Sequence, residues 1–346
     1  MTTTVPKVFA FHEFAGVAEA VADYVVYAQN GAFERKMKER QPGRGSGAVN
    51  EAQVTGDTTP NSEASRDKDK DKDKETEANF APFPDIPRIT SSKSSISRDG
   101  SKKLKKEKEI RFKIAISGGS LIQVLHEGLL KRTDVQWGKW DIYFADERCV
   151  PFDSNESNYG QAKRKIFDLI DTEKYGTPNI FHIDEALIDD PQECADDYEK
   201  VLIKNFAGRD SVKLPMFDLF LLGCAPDGHI ASLFPNFQEN LREKLAWVVP
   251  VTHAPSGPSE RISLTIPVIC HSHRVIFVVE GAVKAPIIKT IMERPEKGLP
   301  SSIVNEGAAG RVSWFVDDAA LTDVYVTKKK YKWHNKLESN AKYIDE

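Results

Sequence analysis

Two side chains able to move a proton lie two residues apart in DLFLLGCAPDGHIASLFP (218–235): Asp227 and His229, separated by Gly228. At that spacing both project from one tight loop into the same cleft, where the carboxylate holds the imidazole in one tautomer and raises its basicity. His229 is therefore a candidate general base and Asp227 its orienting acid. A single histidine is more often structural than catalytic, and it is the Pro-Asp-Gly-His turn at the end of an apolar run that favours function here. Ser232 follows three residues later with no GxSxG elbow around it, so it is set aside as a nucleophile.

Three further stretches carry groups suited to an anion. In KIAISGGSLIQVL (113–125) the run Ser117-Gly118-Gly119-Ser120 joins an apolar strand pattern to a helical one. The glycines let the backbone approach a ligand closely, and a helix N-terminus offers unpaired N–H groups to negative charge. Neither GK[ST] nor GxGxxG is present, so a nucleotide is not implied, and a plain strand-to-helix turn capped by serine fits the stretch equally well. In DIYFADERCVPFDSNESNYG (141–160) Asp146, Glu147 and Arg148 follow a strand pattern directly. The guanidinium fork matches phosphate, and the neighbouring acids would orient it or meet sugar hydroxyls; a salt-bridged turn is the alternative. Arg261, just before ISLTI, and Lys284, in VEGAVKAP, are the remaining cations that could complete such a site. No metal is expected: His271 and His273 lack a third ligand nearby in sequence. Cys224 reads as a small apolar residue at a strand end.

These residues need a scaffold that gathers loop ends. Apolar, β-rich runs (KVFAF, RFKIAIS, WDIYFA, NIFHI, FDLFLLG, AWVVPVT, ISLTI, RVIFVVE, VSWFVD) alternate with helical patterns (VAEAVADYVVYAQ, LIQVLHEGLLKR, YGQAKRKIFDLI, ECADDYEKVLIKNF, KAPIIKTIME). That alternation predicts an α/β fold, a mostly parallel central sheet flanked by helices on both faces. In such sheets ligands gather beyond the carboxyl ends of the strands, where the candidates above fall except Arg261, which precedes its strand.

The chain of 346 residues is read as a single domain, 1–346, interrupted by a low-complexity stretch over 38–108 that includes RDKDKDKDKDKE, and followed by a basic extension over 323–346. The inserted composition cannot bury enough apolar surface to offset its ordering entropy, so disorder is expected there; the extension is expected to be exposed or loosely packed. A net charge of −4 supplies no global field for nucleic acid or an anionic membrane. Four dispersed cysteines fit a reducing compartment, and neither a signal peptide nor a bilayer-spanning run is present, so a soluble, cytoplasmic protein is expected.

Taken together, SGGS, FADERCVP with SNYG, LLGCAPDGHIASLFP, ERISLTIPVI, VEGAVKA and LPSSIV resemble the 6-phosphogluconolactonase family, which includes the fungal Sol proteins, over Lys7–Lys36 and Arg111–Thr322. The resemblance implies a Rossmann-like fold shared with glucosamine-6-phosphate deaminases. It also implies hydrolysis of 6-phospho-D-glucono-1,5-lactone, the second step of the oxidative pentose phosphate pathway, without cofactor or metal. On that basis His229 activates water and later protonates the ring oxygen, Asp227 orients it, and Gly118, Gly119, Ser120, Arg148, Arg261 and Lys284 bind the phosphate end, with Asp146 facing sugar hydroxyls. Two details separate this chain from a deaminase: Ser232-Leu233-Phe234-Pro235 stands where a deaminase reads FNEP, and Arg148 where it tends to carry Tyr. Cys224 departs from the family's common residue, often Met.

Two rivals remain on the sequence alone. A Sol-type protein without catalysis, linked to tRNA function, would use KKLKKEKE and KKKYKWHNK as RNA-contacting arms. An amino-sugar-phosphate deaminase or isomerase would keep the site and change the reaction. The expected partner is a small sugar-phosphate lactone, with neither membrane nor nucleic acid, and the oligomeric state is left open.

Overall fold

The computed structural model describes residues 6–41, 109–207 and 214–331. In chain order its elements are β1 (Lys7–Phe11), α1 (Phe14–Arg40), β2 (Phe112–Ile116), α2 (Ser120–Leu129), β3 (Trp140–Phe144), β4 (Asp146–Arg148), α3 (Asn158–Lys165), α4 (Thr172–Tyr175), β5 (Asn179–Phe181) and α5 (Pro191–Phe206). There follow β6 (Leu219–Leu222), α6 (Gln238–Arg242), β7 (Val248–Val251), β8 (Arg261–Leu264), α7 (Ile266–His271), β9 (Val275–Val279), α8 (Ala285–Glu293), α9 (Pro300–Gly307) and β10 (Val312–Asp317). Seven strands form one sheet in the order β1-β10-β9-β6-β2-β3-β5, every neighbouring pair parallel.

The alternation of side chains along each strand divides the interior into two cores. Phe220, Leu222, Phe277 and Val279 face one side, where Cys194, Tyr198 and Leu202 of α5 and Ile288 and Ile291 of α8 cover them. Leu219, Leu221, Ile276 and Val278 face the other, beneath Val17, Val21 and Val25 of α1 and Leu121 and Leu125 of α2. Strands buried on both faces read as unbroken apolar runs, which is why LFLL and VIFVV stood out in the sequence.

A second, antiparallel sheet of β4-β8-β7 packs on the first of these cores. Here the structure departs from expectation. AWVVPVT and ISLTI belong to this small sheet, not to the parallel one, and Asp146–Arg148 is a strand instead of a loop, paired Asp146↔Ser263, Glu147↔Ile262 and Arg148↔Arg261. Residues 38–40 continue α1 and so lie inside the helix, not in the inserted stretch. The described part of the C-terminal extension is docked: Lys329 N–H donates to the Val8 carbonyl at 2.8 Å, and the Tyr331 ring lies 5.8 Å from Phe9 and Phe11. Residues 42–108 and 332–346, with most of both basic stretches, lie outside the described residues.

Near the amino-terminal ends of the strands, the buried Asp218 carboxylate pairs with Arg35 and Lys36 of α1 and accepts the Lys113 N–H of β2 at 2.8 Å. Lys36 also donates to the Arg111 carbonyl at 2.8 Å. One carboxylate thus ties the end of α1 to the start of β2. Among the described residues no helix is long and apolar enough to cross a membrane.

Candidate active site

The carboxyl ends of β9, β6, β2 and β3 are adjacent, and the loops leaving them carry the candidate residues. After β6, the Gly228 N–H donates to the Ala225 carbonyl at 2.9 Å, and the Ala225 N–H to the His229 carbonyl at 3.1 Å. Gly228 sits at φ +88, and a Cβ there would lie 3.1 Å from Ile287 Cδ1, so both conformation and packing require glycine. Asp227 Oδ1 accepts from the His229 N–H at 3.1 Å and from Nδ1 at 2.7 Å. A carboxylate only accepts, so Nδ1 carries the proton and Nε2 is the basic nitrogen. The imidazole packs on Phe234, ring centroids 4.4 Å apart. Burial lowers its pKa and outweighs the opposing pull of Asp227 and Asp146, so the expected rise in basicity is reversed and the ring is neutral at neutral pH.

After β2, two adjacent glycines do different work. A Cβ on Gly118 would fall 1.8 Å from Asn158 Oδ1, so that position exists to admit the Asn158 side chain. Gly119 caps α2 at φ +70 and ψ −143, a Cβ there would meet nothing within 4 Å, and Gly119 and Ser120 are exposed at the helix N-terminus. Ser120 lies beside Glu280, a neighbour that the sequence reading did not include.

Asp146, expected to face sugar hydroxyls, is held by hydroxyls of the protein itself. It is buried, with Oδ1 accepting from Ser117 Oγ at 3.2 Å and Oδ2 from Ser232 Oγ at 2.7 Å. Glu147 is a second buried carboxylate, taking the N–H groups of Arg148, Asn158 and Tyr159 at 2.8, 2.7 and 2.7 Å. Those bonds fasten β4 to the start of α3, yet burial still pushes its carboxyl up to about 7.

The cations divide into two groups. Arg148 and Arg261 face each other across β4 and β8. Arg148 Nη1 donates to the Glu156 carbonyl at 2.7 Å and carboxylate at 3.2 Å, while its buried Nε has no partner among the described residues. Arg261 is buried, not a surface charge; it donates from Nε to the Pro258 carbonyl at 2.9 Å and lies over Phe234 at 5.4 Å. Burial lowers its pKa, and Arg148 adds to the effect. Lys284 comes from the loop after β9 and donates to the Cys224 carbonyl at 2.5 Å beside Glu280. His229, Asp227, Asp146, Arg261 and Arg148 act on one another, Lys284, Glu280 and Ser120 lie beside the glycine loop, and Cys224, next to both Lys284 and Asp227, links the two sets. Asn158 was visible only as part of SNYG, and nothing in the sequence could link it to Gly118.

The carboxyl edge of the parallel sheet thus carries a histidine, a lysine and the start of α2, beside two arginines of the small antiparallel sheet. The family model described as glucosamine-6-phosphate isomerases/6-phosphogluconolactonase matches residues 89–314, and the chain belongs to that family. It is 73% identical over 97% of its length to 6-phosphogluconolactonase-like protein 1 of Saccharomyces cerevisiae, covering 98% of that protein. It is 46% identical to a probable 6-phosphogluconolactonase of Schizosaccharomyces pombe over 62% of this chain and 83% of the relative. The solved 6-phosphogluconolactonase of Trypanosoma cruzi, 20% identical, shares the fold at a TM-score of 0.59 over 92% of this chain and 97% of that one.

Proposed function

We propose that the chain hydrolyses 6-phospho-D-glucono-1,5-lactone to 6-phosphogluconate. The observation that carries the reading is the 2.7 Å contact between Asp227 and Nδ1 of a neutral His229, which leaves Nε2 free to take a proton. His229 accepts that proton from a water attacking the C1 carbonyl, and Asp227 stabilises the imidazolium that results. Collapse of the tetrahedral intermediate breaks the bond between C1 and the ring oxygen, and the imidazolium returns the proton to that oxygen. The Gly119 end of α2, Lys284 and Arg148 would take the phosphate, with Arg261 behind them. A lactone is already labile, so a general base worth about 10²- to 10⁴-fold together with positioning suffices, and no cofactor is invoked.

Two observations favour the lactonase over an isomerase: Arg148 in its place on β4, and Ser232 bound to Asp146 where an isomerase reads differently. Four free cysteines support a reducing, cytoplasmic location as part of the same proposal. The test is a coupled assay that generates the lactone in situ and follows 6-phosphogluconate against the spontaneous rate, with wild type and His229→Ala side by side. Wild type is expected to accelerate hydrolysis, and the folded variant to lose on the order of 10²-fold or more in turnover. An equal rate in the folded variant would remove His229 as the base. No acceleration by wild type would refute the lactonase and leave a protein of this fold to be tested for RNA binding.

A further inference from the structure

Both oxygens of Asp146 are engaged by side chains of the protein itself, and those contacts point to a task other than holding a sugar hydroxyl. Its carboxylate is 4% exposed and forms no ion pair among the described residues; two serine hydroxyls satisfy it instead. The serines come from different segments. Ser117 ends the β2 segment and opens the glycine loop, while Ser232 follows the Asp-Gly-His turn. Ser232 is reached through a tight turn in which Ala231 is held at φ +47, and its N–H donates at 3.3 Å to Ser263 Oγ, the residue opposite Asp146 in the β4–β8 pairing. The Asp146 carbonyl accepts Asn158 Nδ2 at 2.9 Å, and Asn158 in turn fills the space that Gly118 leaves. The glycine loop, the base-bearing turn and the arginine-bearing strands are thus joined at one residue.

A buried carboxylate without its own counter-ion is costly unless positive charge lies near. The charges that face His229 are Asp227 from its own loop, Asp146 from β4 and Arg261 from β8, with the Phe234 ring against its face. Arg261 is a fixed cation held by main-chain carbonyls; His229 is the one group of the set that becomes positive when it takes a proton.

We propose that Asp146 is a positioning residue for His229: through Ser117 and Ser232 it holds the three parts of the site in register, and its buried charge stabilises the imidazolium formed as water is deprotonated. The second half rests on the lactonase reading; the coupling between the two side chains does not.

The experiment follows the His229 ring by NMR titration in wild type, Asp146→Asn and Ser232→Ala, and measures kcat and KM against pH for the same three. In folded Asp146→Asn the His229 titration is expected to move to lower pH, the acid limb of kcat to move with it, and kcat to fall about tenfold or more with KM changed far less. Ser232→Ala keeps the charge, so its titration should stay near that of wild type while kcat falls. An unmoved titration in folded Asp146→Asn overturns the proposal, as does a loss confined to KM, which would make Asp146 a substrate ligand. If Asp146→Asn does not fold, Ser117→Ala and Ser232→Ala decide the matter, because an unchanged kcat in both removes the register. The titration needs no substrate. A wild type that hydrolyses nothing, with a shifted His229 in Asp146→Asn, therefore discards the reaction and keeps the coupling.

Discussion

Replacing Gly118 by alanine tests the glycine loop most sharply, because its neighbour Gly119 serves as the control. At Gly118 the added Cβ meets Asn158 Oδ1 at 1.8 Å, Cγ at 2.3 Å and Nδ2 at 2.9 Å, in a side chain that is itself 1% exposed. Asn158 must move, and it cannot do so without releasing the Asp146 carbonyl. Overpacking of a tight interior costs about 1–3 kcal/mol and the lost hydrogen bond about 0.5–1.5 kcal/mol, roughly 2–4 kcal/mol together. In a domain of this size that is a fall in Tm of roughly 5–15 °C. Gly119→Ala meets nothing within 4 Å and pays only for its φ of +70, about 1–3 kcal/mol. The discriminating step is a double-mutant cycle by urea denaturation with Asn158→Ala. Deleting the Asn158 side chain should cancel most of the Gly118→Ala penalty and none of the Gly119→Ala penalty. Strict additivity at Gly118, or a stable Gly118→Ala single variant, would refute the steric argument.

Arg148→Ala should raise KM roughly 10- to 100-fold, the range of one charge-assisted hydrogen bond, with a smaller change in kcat; an unchanged KM in steady-state assays would take Arg148 out of the phosphate site. Glu147, raised by burial from 4.5 to about 7, holds a proton in the folded protein that the unfolded chain has released across that window. Its contribution to stability is complete below pH 4.5 and lost as pH rises through 7, so urea midpoints should fall more from pH 5 to pH 7.5 in wild type than in Glu147→Gln. Equal falls would show that Glu147 does not titrate there. Burial pushes the Cys224 thiol up to about 12 and Cys270 up to about 11, so brief alkylation at pH 8 with peptide mapping should label neither until the protein is unfolded; rapid labelling of Cys224 in the native protein would contradict its burial.

What could be read ahead of the structure was what lies close along the chain. β6 and β9 announced themselves as apolar runs, and Asp227 with His229 needed only a spacing of two. β4 could not be recognised, because Asp-Glu-Arg has no apolar period and is a strand only through its pairing with β8. The Asp146–Ser232 bond joins residues 86 apart in sequence, so only the order of strands in the sheet brings them together. The same reason hid the roles of Asn158 and Glu280. The C-terminal extension was expected to be exposed or loosely packed; its described side chains are mostly exposed, but Lys329 N–H and the Tyr331 ring contact β1, an edge strand whose main-chain groups and aromatic faces no local pattern in the tail reveals.

The carboxylate of Asp218 makes neighbours of the chain's departure from α1 and its return into β2, whatever sequence runs between them. Closing a flexible connection costs free energy only as the logarithm of its length, about 0.6 kcal/mol for each doubling. With both anchors kept, a change in the length of 42–108 should cost the sheet little; the anchors themselves lie at the edge opposite the one that carries His229. The fold thereby has a socket: two fixed ends, held together by one carboxylate, between which the length of the intervening sequence matters little to the sheet.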